Sequence, residues 1–172
     1  MKYALVTGAS SGIGWHLSTE LAKRGYSIIA VSNQKEELHK LRSELEAVYQ
    51  VTVHTIDTDL AHVDAANELF NYCDRNRLEV EVLVNNAGML VFGEVVDVEH
   101  ERAAAILQLH ITTPALLSRI FGKKMKERRH GYILNVSSIS AVMPYPTISY
   151  YGPSKTFLRS FTRALRTELK PF

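Results

Sequence analysis

Short apolar runs of β type alternate five times with segments of helical period along this chain, an order that specifies βαβ units and a parallel sheet. Residues 3–7 read as the first strand, and Ile13, Leu17 and Leu21 then recur every fourth residue until Gly25 stops a helix. Ser27–Ser32 is a second strand, followed by a helix with Leu38, Leu41, Leu45 and Val48 on one face. Val51–Ile56 is the third strand, and Val63, Ala66, Leu69, Phe70 and Cys73 mark the buried stripe of the next helix. The continuous apolar run Val80–Val84 suits a parallel strand covered on both faces. A helix is expected over 99–129, interrupted near Pro114, which lacks an amide hydrogen. Tyr132–Val136 is the fifth strand and Ser154–Leu169 the last helix. Right-handed crossovers then give an α/β fold with a doubly wound parallel sheet, Rossmann-like, ordered 3-2-1-4-5.

The 172 residues fit one domain spanning 1–172, and 46% hydrophobic content suffices for a core. A formal charge of +2 argues against nucleic acid as a partner, because polyanion binders carry a clustered basic excess. The run Lys123, Lys124, Lys126, Arg128, Arg129 reads as a solvated last helical turn with Gly131 as its left-handed cap. Cys73 is the lone cysteine, so no intrachain disulfide or cysteine-based zinc site is expected; it reads as a core thiol, and no metal site is expected. The apolar run at the N-terminus is too short for a signal peptide, and no stretch approaches the roughly eighteen apolar residues of a membrane span. A cytoplasmic protein without a membrane partner is the expectation.

Between strand one and helix one lies Thr7-Gly8-Ala9-Ser10-Ser11-Gly12-Ile13-Gly14. In that context glycines make a tight turn and let backbone approach a pyrophosphate, whose charge the helix N-terminus favours. Gly8, Ser10, Ser11, Gly12, Ile13 and Gly14 are therefore candidate dinucleotide-binding residues. Strand two ends in Ser32-Asn33 instead of the carboxylate that holds the ribose hydroxyls of NAD. The absence of that carboxylate permits a 2′-phosphate, to which both side chains can donate, so NADP(H) is preferred over NAD(H).

Tyr151 and Lys155 stand four residues apart and share one helix face. A phenol is a poor base near neutrality, with a reference pKa of about 10, and a nearby ammonium favours its ionised form. Ser138 follows strand five, so its hydroxyl should emerge at the carboxyl edge of the sheet, where α/β folds bind ligands. Tyr150 and Ser137 are the neighbouring rivals, Tyr150 being assigned to packing or to the substrate side.

The glycine spacing, the Ser-Tyr-Lys set and their order resemble the short-chain dehydrogenase/reductase family. That resemblance implies an adenine-contacting role for Asp59-Leu60, and a sheet-stabilising, cofactor-lining role for Asn86-Ala87-Gly88. It also implies hydride transfer between a nicotinamide and a small-molecule carbonyl or alcohol, with Ser138 orienting the oxygen and Tyr151 moving the proton. Lys155 would assist Tyr151 and, with it, contact the nicotinamide ribose.

Two features depart from the family. His110 stands where an asparagine holds a relay water, and is read equally as a relay residue or as a core histidine bonded to backbone. The chain also stops at Phe172, before two further strands, a Pro-Gly segment and a substrate loop, so a truncated representative with an unprotected fifth strand is expected. The alternatives are a catalytically weak dinucleotide-binding or scaffold protein, and a remnant that assembles through its helices. Family members commonly dimerise, so a homo-oligomer is expected; Ile106, Leu117, Ile120, Phe157 and Phe161 could make the contacts or face the sheet.

Overall fold

A computed structural model describes residues 2–172. Five parallel strands, β1 (Tyr3–Thr7), β2 (Ser27–Ser32), β3 (Val53–Asp57), β4 (Val80–Asn85) and β5 (Tyr132–Asn135), form one sheet in the order β3-β2-β1-β4-β5. The doubly wound expectation is borne out. Helices α1 (Gly12–Lys23), α2 (Lys35–Tyr49), α3 (Ala65–Arg75), α4 (His100–Leu107), α5 (Thr113–Glu127) and α6 (Tyr151–Leu169) connect and follow the strands.

Period-two alternation sorts the strands' side chains into two cores. Ala4 and Val6 pack with Ala22, Leu38, Leu41 and Leu45 beneath α1 and α2. Tyr3 and Leu5 pack on the other face with Leu69 and Cys73 of α3 and Leu117, Phe121 and Met125 of α5. Burial pushes the Cys73 thiol up to about 12, in keeping with an inert core thiol. Ile106 and Leu117 also belong to the interior, whereas Phe157 and Phe161 stack together at 5.6 Å on α6, with Phe157 exposed.

Several boundaries shift for local reasons. β3 begins at Val53, because Gln50 takes a left-handed conformation at the end of α2 and Val53 is the first residue paired with β2. β5 ends one residue earlier than expected, at Asn135, and α6 begins three residues earlier, at Tyr151. Val48 and Val63 are exposed, and α3 starts only at Ala65, so neither valine joins the expected stripe. The left-handed residue after α5 is Arg129 (φ 57°), correcting the assignment of that role to Gly131. At Gly131 a Cβ would lie 2.3 Å from Met125 Cγ, so close packing accounts for the glycine.

One five-residue π turn, Gln108–Thr112, joins α4 to α5 just before Pro114. Proline cannot donate to the preceding turn, and a widened turn accommodates the missing bond. Within the resulting helix, His100–Glu127, an 18-residue window has mean hydropathy 1.2 and is long and apolar enough to cross a membrane by length and composition alone, which corrects the expectation that no segment reaches that threshold. Its apolar stripe, including Ile106, Leu117 and Phe121, is packed into the interior.

β4 carries an irregularity where Tyr3 pairs with Val80 and Ala4 with Val82, leaving Glu81 as an extra residue. The added residue reverses the alternation, so Val80 and Leu83 share one core while Val82 and Val84 share the other. The Glu81 side chain is buried and collects Tyr26 Oη at 2.8 Å, His130 Nε2 at 3.1 Å and Lys2 Nζ at 3.2 Å. Burial alone would raise the Glu81 pKa, but the bonds from Tyr26, His130 and Lys2 bring it below the ordinary value.

Replacing Glu81 with Ala should lower the unfolding free energy, measured in urea at pH 7, by about 1–3 kcal/mol. The electrostatic share of this contribution is present above the unfolded glutamate pKa and lost as pH falls through the depressed folded-state value. The gap between wild type and variant should therefore narrow in acid.

Candidate active site

Gly8 (φ 65°) and Gly12 (φ 53°) adopt left-handed conformations that shape the turn after β1. Space requires glycine at two positions as well: a Cβ on Gly14 would lie 2.0 Å from the Gly8 carbonyl oxygen, and one on Gly8 would lie 2.8 Å from Ala87 Cα. At Gly12, by contrast, a Cβ would meet nothing within 4 Å, so the backbone there faces open space. The first-turn amides of α1, beside that space, have no acceptor within the helix.

The turn is knitted to the segment after β4. Thr7 Oγ1 donates to the Val84 carbonyl at 3.2 Å and accepts from the amides of Asn86 at 2.9 Å and Ala87 at 3.0 Å. Asn86 Nδ2 in turn donates to the carbonyls of Thr7 at 3.0 Å and Gly8 at 3.2 Å. A groove of about 620 Å³ opens along this seam. Gly8, Ser10, Ser11, Gly12, Ile13, Ser32, Asn33, Asp59, Leu60, Asn86, Ala87 and Gly88 all line it. Gly14 does not; it packs behind the turn and makes the close approach of helix and loop feasible.

Within the groove the polar groups differ in availability. Ser32 is buried, with its Oγ 2.8 Å from Ser10 Oγ and accepting from the Gln34 amide at 3.2 Å, whereas Asn33 is exposed. Asp59 Oδ1 accepts from the Ala61 amide at 2.9 Å, and the carbonyl of the buried Leu60 accepts from Thr113 Oγ1 at 2.8 Å. Asp59 thus also caps a turn, while Leu60 anchors the strand-three loop to α5.

Ser137 and Ser138 separate cleanly. Ser137 Oγ donates to the Lys155 carbonyl at 3.0 Å, a scaffold bond. Ser138 Oγ accepts from the Ser140 amide at 3.2 Å and from Ser140 Oγ at 2.9 Å, so its own proton is available to a ligand oxygen. Lys155 is buried, donates to the Val136 carbonyl at 3.1 Å and lies 5.7 Å from the centroid of the Tyr151 ring. Burial lowers its pKa. Tyr151 and Lys155 both lie in the first turns of α6, beside the segment carrying Ser138.

His110 is 1% exposed and lies edge-on to the Tyr151 ring at 5.5 Å. Its Nε2 accepts from the Met89 amide at 2.9 Å, and its Nδ1 lies 3.0 Å from Ser154 Oγ. Burial first, and the charge of Lys155 second, push its pKa down to about 4, so it is neutral at pH 7. The backbone-bonded alternative of the two sequence readings describes these contacts.

A family model for short chain dehydrogenases matches residues 2–172. The chain belongs to the short chain dehydrogenase family. It is 34% identical over 174 residues to very-long-chain 3-oxoacyl-CoA reductase-A of Danio rerio, covering 98% of this chain and 54% of that relative. It is 32% identical over 171 residues to 17-beta-hydroxysteroid dehydrogenase type 3 of Mus musculus, covering 98% of this chain and 55% of that protein. Thus the chain spans about half the length of these curated relatives. A bulky-bulky ketone specific alcohol dehydrogenase from Comamonas testosteroni superposes with TM-score 0.93 at 29% identity, over 99% of this chain and 68% of that one. A short-chain dehydrogenase from Sphingobium yanoikuyae in complex with NADPH superposes with TM-score 0.93 at 28% identity, over 99% and 66% of the two chains.

For this short chain dehydrogenase, sequence reasoning missed several residues of the site. Thr7 stood inside the glycine motif yet was not singled out, although a hydroxyl at the end of a central strand beside a ligand turn is a usable signal. Thr58, Met89 and Leu109 line the groove without any motif to announce them. Ser154 sits between Tyr151 and Lys155 in sequence, but its bonds to His110 and to the Tyr151 carbonyl, the latter at 2.7 Å, exist only in the folded chain.

Thr7→Val should cost about 1–3 kcal/mol of stability by leaving the Asn86 and Ala87 amides without their acceptor, a loss readable by urea denaturation. His110 carries a separate signature. Because its folded pKa of about 4 lies below the ordinary 6.5, its contribution is complete above pH 6.5 and declines as pH falls toward 4, by about 3 kcal/mol across the window. Unfolding titrations at pH 7 and pH 4.5 should show a steeper loss for wild type than for His110→Gln.

Proposed function

We propose that this chain carries the dinucleotide-binding and proton-transfer parts of an NADP(H)-preferring oxidoreductase that reduces carbonyl compounds or oxidises the corresponding alcohols. The observation that supports this most is the placement of the groove and of Ser138, Tyr151 and Lys155 on the same carboxyl edge of the sheet. The open backbone at Gly12, beside first-turn amides of α1, suits a pyrophosphate, and no carboxylate occupies Ser32 or Asn33 to repel a 2′-phosphate.

A reduced nicotinamide in that groove supplies hydride chemistry at the carbonyl carbon. The Ser138 hydroxyl donates to the carbonyl oxygen and fixes its position. Tyr151 Oη delivers the proton that this oxygen needs as it becomes an alcohol, and the reverse reaction returns it. Lys155 holds a positive charge beside the Tyr151 ring and favours the phenolate left behind. Apolar flanks suit the substrate: Ile139, Val142, Met143 and Tyr145 follow Ser138 and are exposed, as are Leu90, Phe92, Val95 and Val96 after β4. The Gly93 amide donates to the Thr147 carbonyl at 2.9 Å, joining these two loops into one apolar rim.

Fluorescence titration should show saturable binding that is tighter for NADPH than for NADH and is lost in Gly12→Asp, which places a carboxylate in the open space at the turn. With a panel of aromatic and long-chain ketones, Tyr151→Phe should lower kcat by about 100-fold or more while saturable NADPH binding persists. Failure to bind either dinucleotide would instead support the remnant reading, and binding without turnover the catalytically weak one.

A further inference from the structure

We infer that His110 is a positioning residue that holds the loop flooring the cofactor groove and the helix bearing Tyr151 and Lys155 in one register. The inference rests on the oxidoreductase reading for its catalytic consequence, but not for its geometry. Gly88 and Met89 line the groove, and Tyr151 opens α6; one buried imidazole reaches both elements. The bonding admits one direction only. The Met89 N–H donates to Nε2, which must therefore be unprotonated, so in the neutral ring Nδ1 carries the proton and donates to Ser154 Oγ. The Ser154 hydroxyl then donates to the Tyr151 carbonyl at 2.7 Å. His110 and Ser154 each donate one hydrogen bond and accept one, and the two ends, a donor amide and an acceptor carbonyl, are main-chain groups, so the tie fixes backbone position.

The surroundings leave this tie little freedom. A Cβ on Gly88 would lie 3.0 Å from His110 Nε2 and 3.7 Å from Lys155 Nζ, so loop, imidazole and ammonium meet at one point. The π turn Gln108–Thr112 carries His110 at its centre, between α4 and α5. Two ring nitrogens that point in different directions within one rigid plane allow one residue to bridge a loop and a helix 44 positions away in sequence.

Four variants test the inference: His110→Ala, His110→Gln, Ser154→Ala and the double variant His110→Ala with Ser154→Ala. Nitrogen-15 spectra of the wild-type imidazole at pH 7 should show the Nδ1–H tautomer, and an Nε2–H tautomer or an imidazolium would overturn the inference. Ser154→Ala, which does not touch Met89, should speed hydrogen exchange at the Met89 amide severalfold; unchanged exchange would also overturn it. In ketone reduction, His110→Ala should lower kcat about tenfold with little change in the KM for ketone, a loss matching one buried hydrogen bond. His110→Gln, which keeps one donor and one acceptor, should recover part of that loss. The double variant should be no worse than His110→Ala, and additive losses would count against a shared chain. Should the wild type bind no dinucleotide and reduce no ketone, the oxidoreductase reading fails, while tautomer and exchange still decide the tie.

Discussion

The site depends on one hydroxyl at the end of the central strand. Parallel strands β1 and β4 separate at their carboxyl ends, and the backbone groups exposed by that divergence need partners. Thr7 Oγ1 supplies them, accepting two amides from the segment after β4 and donating to the Val84 carbonyl. Asn86 closes the same seam from the other side by bonding the Thr7 and Gly8 carbonyls. With both turns locked together, the glycines can leave a groove between them without the loops collapsing into it.

Much of this arrangement was legible in the sequence because it follows from local rules. Alternating Ala4 and Val6 against Tyr3 and Leu5 specifies a strand buried on both faces, and leucines at 38, 41 and 45 specify a helix facing the sheet. The groove residues are legible for a similar reason: each belongs to a turn at a strand's carboxyl end, and the fold brings all those ends together. Features set by tertiary pairing were not legible. Val51 has strand propensity, but β3 starts where β2 offers a partner, at Val53. Val63 fits a helical stripe by spacing, yet α3 begins beyond it. The links from Ser154 to His110 and from Lys155 to the Val136 carbonyl join elements that no spacing rule connects.

The polar interior is distributed unevenly, and that distribution separates scaffold from chemistry. Asn85 donates from Nδ2 to Ser118 Oγ at 3.1 Å and to Asn135 Oδ1 at 2.8 Å, and Asn135 passes the network on to Thr162 of α6. The network binds β4, β5, α5 and α6 to one another just below the site. Ser137 adds a bond from the β5 side to the Lys155 carbonyl. With these neighbours committed to structure, Ser138 Oγ keeps its own proton free against a fixed background, the condition that the proposed reaction needs for preorganised chemistry.

The irregularity at Glu81 reaches further than its own ion pairs. An extra residue in a strand advances the phase of everything after it, and β4 runs from Val80 straight into Asn85 and Asn86. Were the strand regular, every later residue would move on one place and face the other side, so Asn85 would leave the network with Ser118 and Asn135 and stand where Asn86 now serves the Thr7 and Gly8 carbonyls. A charged residue roughly 16 Å before Asn86, counted along the strand, therefore marks the point that sets the angular clock by which the ligand edge is read. Insertions and deletions in this strand are constrained by that clock even where no catalytic group lies nearby.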